Sequence, residues 1–306
     1  PGRATALLLL SGRRRKGSPI PMVMTKRPFF IWFVTPAAVL ALLYMFGLAS
    51  VLELSFRKFI PGSLEVGEWT LSNLDYVARP LFRTVFIDTA LICLLTAAFT
   101  LLVGYPIAYA LVRTKSSALR AAILIIAVTP LFTGEITRTY SWLVVMGNAG
   151  FVNAVLMGLG LVSKPVQLMF TKFAVVVVLV HFTLPIMIII LATALSQIDP
   201  AYEKAAQSLG AGPVRSFASV TLPLSGPGLI AGITTCFAWT FSAFATPQLI
   251  GGGQVNMIGN LVYQVGIASF NFPVAAVLSL AGVLFTMVLV GLMRLALSPL
   301  ERIPTR

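Results

Sequence analysis

Acidic and catalytic side chains are scarce in this chain. Of its 306 residues only nine are Asp or Glu, one is His and two are Cys. A single histidine, His181, rules out a two-histidine zinc site and argues against a Ser-His-Asp arrangement. Cys93 and Cys236 both fall inside apolar segments, where a thiol behaves as a small hydrophobe, so neither a disulfide frame nor a metal site is indicated. No stretch reads G-x-x-x-x-G-K-[ST], so the chain carries no phosphate-binding loop of its own. Charged residues make up 10% of the total, whereas a soluble domain carries about 25%.

What fills the chain instead is hydrocarbon: 58% of residues are hydrophobic. A helix rises ~1.5 Å per residue, so crossing ~30 Å of lipid takes about 20 apolar residues. Six segments qualify or nearly so: Phe29–Leu52, Val85–Val112, Leu119–Thr133, Phe173–Leu195, Leu229–Ile250 and Val274–Leu297. The third is short. Its apolar run breaks at Gly134-Glu135, and it is expected to end near a surface and feed a surface helix through Tyr140–Met146.

The net charge of +13 follows positive-inside topology rather than nucleic-acid binding, because the basic residues cluster at segment ends. With the N-terminus in the cytoplasm, 15 of the 22 Lys and Arg residues lie inside. Both termini are then cytoplasmic. Residues 1–28 form a basic tail, 29–298 the membrane domain, and 299–306 a short C-terminal tail. In the N-terminal tail the charges follow the short apolar run rather than precede it, which is the reverse of a secretory signal. The outer loops are 53–84, 134–172 (with Phe151–Leu161 as an interfacial helix) and 251–273, the last apolar enough to dip back toward the pore.

The cytoplasmic segment 199–223, DPAYEKAAQSLGAGPVRSFASVTLP, has its own folding pattern. Asp199 is placed to cap a helix and Pro200 suits its first position. Ala205 and Ala206 are small enough for a partner to approach the backbone. Gly210 and Gly212 suit the left-handed conformation that ends helices. Pro213 opens a second short helix with Val214, Phe217 and Val220 on one face, and Pro223 stops it before the next span. A plain connection between spans is the competing reading, but such connections are usually shorter.

These residues give the segment its resemblance to the cytoplasmic coupling loop of permease subunits of binding-protein-dependent ABC importers. The pattern there is Glu-Ala-Ala, three residues, Gly, nine residues, Ile-x-Leu-Pro. Ala205, Ala206 and Gly210 match its spacing, and Val220, Leu222 and Pro223 fall in register. The Glu position holds Lys204, with Glu203 one place earlier, a step that turns a helical side chain by about 100°. Pro130–Phe132, Arg138–Trp142, Gly147–Gly150, Thr246–Gly252 and Ile258–Asn260 are similar to the spermidine/putrescine branch.

The resemblance covers about residues 29–298 and implies an all-α membrane protein with the six-helix type I importer permease fold in a bacterial inner membrane. It implies a second, distinct permease subunit, two ATPase subunits that bring the ATP and magnesium, and an extracytoplasmic solute-binding protein. The chain itself would hold no cofactor and no nucleic acid. Glu203, Lys204, Ala205, Ala206, Gly210, Leu222 and Pro223 would couple to the ATPase. The implied cargo is putrescine or spermidine, although relatives carrying other amines, opines, iron or organic anions share the weaker motifs.

Pathway candidates are Glu135, Tyr140 and Trp142 in the third-span region, His181 in the fourth span, and Trp239, Phe241, Phe244 and Gln248 in the fifth. Aromatic faces attract ammonium groups, and ionisable groups within a membrane tend to face cavities. Each also has a packing explanation. The aromatics suit interhelical contacts. His181 suits a neutral ring bonded to the backbone carbonyl that Pro185 leaves free. Glu135 suits an ion pair with Arg138 one turn on. The alternative function, a self-sufficient secondary transporter, needs intramembrane carboxylates and internal repeats, and these spans contain almost no carboxylates. A membrane-bound enzyme is disfavoured by the lone histidine and scattered acids.

Overall fold

The computed structural model describes residues 27–62, 65 and 67–298, with side chains undescribed at 27–31 and 33. Most of both expected tails, residues 1–26 and 299–306, lies outside the described residues. The chain divides between Ser50 and Val51 into two units, and the site described below lies wholly in the second.

In chain order the helices are α1 (Arg27–Ser55), α2 (Asp75–Ala78), α3 (Pro80–Arg113), α4 (Ser117–Val128), α5 (Glu135–Met146), α6 (Phe151–Gly158), α7 (Lys172–Ser196), α8 (Pro200–Ser208), α9 (Pro213–Ser216), α10 (Leu222–Leu224), α11 (Gly226–Phe241), α12 (Ala245–Ile250), α13 (Ile258–Tyr263) and α14 (Phe272–Leu297). Among the described residues there is no strand, only an isolated bridge between Arg57 and Trp69. Five helical stretches are long and apolar enough to cross a membrane, and six if the bent pair Pro213–Leu224 and Gly226–Phe241 counts as one span.

Two of the expected spans are drawn differently. The stretch expected as the third span is a 12-residue helix, α4, closed by a 3-10 turn at Thr129–Phe132. At ~1.5 Å per residue this falls short of ~30 Å. The 24 residues Glu135–Gly158, expected outside the membrane as a surface helix and an interfacial one, instead qualify as a span by length and composition. The fifth expected span is also not one helix. α11 ends at Phe241 and α12 begins at Ala245, while α11 meets the preceding helix at a 67° bend.

The core is built on α3 and α7, with α11 packed against both. Thr100 and Thr183 share a buried hydrogen bond of 2.8 Å between α3 and α7. Small residues set the spacing, as they do where lipid supplies no hydrophobic drive between helices. A Cβ added at Gly228 of α11 would lie 2.3 Å from the Cβ of Ala194, and one at Gly232 would lie 2.6 Å from the Met187 sulfur. The outside of the bundle is apolar: Leu102, Ile126, Leu284 and Met287 are all exposed. The last loop folds back onto α3, where the Ile258 amide donates to the Thr89 hydroxyl at 3.1 Å. α3 fixes the two ends of the bundle. Arg113 at its C-terminus meets Ile198 and Glu203, whereas Asp88 near its start pairs with Lys172 at 2.6 Å.

Candidate functional site

Two short helices meeting at a glycine corner project from the Arg113 end of the bundle. The Asp199 carboxylate caps α8 by accepting from the Ala201 amide at 2.8 Å, and Pro200 occupies the first turn. Gly210 ends the helix at φ +89°, a conformation that costs an L side chain about 1–2 kcal/mol. Gly212 is not left-handed. It has φ −65° and stands before Pro213 as the N-cap of α9.

Pro223 does not stop the second helix. A π-turn at Phe217–Thr221, with the Leu222 amide bonded to the Phe217 carbonyl, carries the chain into α10. Pro223 sits in the first turn of α10. Helix is lost only at Ser225. The widened turn also removes the expected common face, because Val214 is exposed while Phe217 and Val220 are half-buried.

The elbow is held to the bundle through one carboxylate. Glu203 turns inward and accepts from the Tyr109 hydroxyl at 2.9 Å, from Arg113 Nη2 at 3.1 Å and from the Thr221 hydroxyl. Its own backbone carbonyl accepts from Ser216 Oγ at 3.0 Å. Burial pushes the carboxyl pKa up, but the bonds from Thr221 and Tyr109 and the Arg113 charge together outweigh it, and the group rests below the ordinary carboxylate range. A second contact lies at the bend, where Tyr105 and Ser225 share a 2.8 Å hydrogen bond. The rings of Tyr105 and Tyr109 both meet Phe217 edge-on.

The other expected coupling residues are not gathered at this clamp. Lys204, Ala205 and Leu222 are exposed, and Ala206 and Pro223 are half-buried. The one-residue offset between Glu203 and Lys204 therefore separates an inward anchor from an outward cation. No sequence motif marks Tyr109, Arg113 or Thr221. The available signal was Tyr109 and Arg113, one turn apart on a single helix face at a span's end.

The pathway candidates separate into several places. Trp142 Nε1 donates to His181 Nδ1 at 3.2 Å, so His181 takes its bond from an indole of α5 rather than giving one to a freed carbonyl. Arg138 does not pair with Glu135. Its guanidinium lies over the Phe182 ring at 3.9 Å, and Glu135 and Tyr140 are exposed. Trp239 is exposed beside Thr234, Thr235 and Ser242, whereas Phe241 packs inward against Phe237 and Phe285. Phe244 packs on Tyr263 with centroids 4.9 Å apart, and the Gln248 side-chain Oε1 accepts from Asn260 Nδ2 at 2.8 Å. Among the described residues no cluster of three or more His, Cys, Asp or Glu is placed to hold a metal.

The spermidine/putrescine transport system permease protein PotB of Haemophilus influenzae is 30% identical over 211 residues, covering 69% of this chain and 73% of that protein. PotB of Escherichia coli K12 is 30% identical over 224 residues, covering 72% of this chain and 81% of that protein. Among solved structures, a chain of a bacterial alginate ABC transporter, in complex with an alginate pentasaccharide-bound periplasmic protein, matches with a TM-score of 0.70. The match covers 90% of this chain and 95% of that one at 17% identity, which speaks for the fold alone. Residues 100–302 match the family model described as binding-protein-dependent transport system inner membrane component. This chain belongs to that family of transport components, with the all-α fold of an ABC importer permease.

Proposed function

We propose that this chain is the transmembrane permease subunit of an ATP-driven importer of polyamines, of the putrescine and spermidine type. It forms half of the translocation pathway beside a second, related permease. Two ATPase subunits bind ATP and magnesium on the cytoplasmic side, and each receives one elbow. A solute-binding protein docks on the opposite face. The chain lies in a bacterial inner membrane with both termini in the cytoplasm.

The observation that carries this reading is the clamp. Closure of the ATPases presses on α8, and the force has a defined route. It enters α3 through Glu203, Tyr109 and Arg113, and enters α11 through Thr221 and the 67° bend at Ser225. Rocking the spans between two states requires such a lever, because only a group that contacts the states differently can shift their balance. The choice of polyamine rests on the two PotB relatives and on exposed aromatics such as Tyr140 and Trp239, whose ring faces suit ammonium groups.

The test is Gly210→Pro in the assembled complex, reading spermidine-stimulated ATP hydrolysis and spermidine uptake in proteoliposomes. Proline cannot adopt φ +89° and removes the amide that bonds to the Gln207 carbonyl. Stimulation and uptake should fall together while basal hydrolysis persists. Unchanged coupling removes the lever, and uptake by the chain alone, driven by an ion gradient, reverses the assignment.

A further inference from the structure

The elbow shows its surroundings two cations, hydrocarbon and a single exposed carboxylate, that of Asp199 at the start of α8. Lys204 and Arg215 are exposed, and neither has an ion-pair partner among the described residues. Its two acids are both engaged. Glu203 faces inward on Tyr109, Arg113 and Thr221, and Asp199 caps its own helix. Around the glycine corner, Leu209 is 89% and Val214 81% exposed. Beside Val214 a cleft of about 380 Å³ opens between the Tyr105–Tyr109 turn of α3 and α9, floored by Phe217.

Membrane topology accounts for basic residues next to span ends, such as Lys115, Arg120 and Arg294. Lys204 and Arg215, in the short loop between α7 and α11, follow the same bias, but they sit on the elbow itself with their side chains exposed. Interfaces with a large energetic return have an apolar centre and a charged rim, and rim charges set encounter rate and partner choice. Here the centre is Leu209, Val214 and the adjoining cleft, and the rim is positive. Where the related motif carries a glutamate, this chain carries Lys204, so a partner that fits a carboxylate at that position meets an ammonium instead.

We infer that the elbow docks into an apolar cleft rimmed by carboxylates on the ATPase subunit, with Lys204 and Arg215 selecting that partner by charge. The inference rests on the elbow being the ATPase-coupling element, as proposed above. Glu203 has no part in this contact.

The experiment measures ATPase affinity for the complete permease pair in nanodiscs, at low and high KCl. The wild-type pair is compared with Lys204→Glu, Arg215→Glu, Leu209→Asp and Glu203→Gln. Thermal melting of each pair serves as the folding control. Lys204→Glu and Arg215→Glu should each weaken binding by about tenfold at low salt and flatten its salt dependence, with melting unchanged. Changing an acidic rim residue of the ATPase to Lys should restore affinity for Lys204→Glu. If Leu209→Asp weakens binding while both charge reversals leave it unchanged or tighter, the charge assignment is overturned and the coupling reading survives. If Leu209→Asp also leaves binding intact, the elbow is not the docking element and both fall.

Discussion

Glu203 and Arg113 lie 90 residues apart in the chain, yet the Arg113 guanidinium donates to the Glu203 carboxylate at 3.1 Å. Both side chains are largely buried, at 13% and 16% exposure. The contact joins a short helix outside the bundle to the end of its central helix. Tyr109, one turn back on the same helix, and Thr221, from one further element, complete it, so a single carboxylate ties together α3, α8 and the π-turn before α10.

Removing either charge leaves the other buried without its partner. A hydrogen bond to a charged group contributes about 1.5–3 kcal/mol, so Glu203→Gln and Arg113→Gln should each destabilise the permease by roughly that amount. Their effects should be less than additive, with an interaction term within the range of about 0.5–3 kcal/mol seen for contacting residues. Thermal melting of the four members of the cycle in detergent checks this. Strict additivity means the pair carries no energy.

The same carboxylate sets an acid limit on the elbow. A folded carboxyl held below its ordinary range binds protons less readily than the released one. Its contribution is therefore complete above the ordinary glutamate value of about 4.3 and is lost as pH falls through the lower folded value. Hydrogen-exchange protection of α8 amides, corrected for intrinsic rates, should stay level from pH 8 to about pH 5 and drop only below it. Glu203→Gln should remove that acid limb. A loss of protection near neutral pH contradicts the clamp.

Much of this molecule is legible in its residues, and the illegible parts have physical causes. Asp199, Pro200 and Gly210 act locally, through capping, fixed φ and left-handed backbone, so a sequence pattern suffices to place them. Apolar runs gave α3, α7 and α14 for the same reason, since hydrophobicity over about 20 residues is nearly a length measurement. The third-span region failed because Pro130, Gly134 and Glu135 interrupt the run, leaving α4 short and the length in 135–158. Pro223 was misread as a stop because a π-turn shifts register without any residue type that announces it. The partners of Glu203 were invisible because Tyr109, Arg113 and Thr221 converge only through tertiary packing. The same holds for the indole that reaches His181.

Two glycines of α11 should respond differently to alanine. A Cβ at Gly228 meets the Cβ of Ala194 at 2.3 Å, which is fixed to the α7 backbone. The helices must part to admit it, and overpacking of this kind costs about 1–3 kcal/mol. At Gly232 the obstacle is the Met187 sulfur at 2.6 Å, and a thioether can rotate away. Gly228→Ala should lower the melting midpoint of the complex clearly more than Gly232→Ala. Equal effects would show that α7 and α11 are not in close backbone contact at Ala194.

Trp239 and Phe241 are two residues apart in α11 and face different surroundings. Trp239 is 57% exposed among three hydroxyl side chains, Thr234, Thr235 and Ser242, beside an open recess of about 550 Å³. Phe241 is half-buried, stacks on Phe237 at 6.4 Å and meets Phe285 at the edge of the core. If the recess belongs to the cargo route, Trp239→Ala removes a ring face worth about 0.5–2 kcal/mol to an ammonium group. Spermidine uptake should then show a KM raised by about two- to thirtyfold, with melting and basal ATP hydrolysis unchanged. Phe241→Ala should do the reverse, destabilising the complex by less than the about 3–5 kcal/mol of a fully buried aromatic but by clearly more than Trp239→Ala, with a smaller change in KM. Concentration-dependent uptake by the two variants in proteoliposomes decides it. A Trp239→Ala protein with wild-type KM places this face of α11 outside the route.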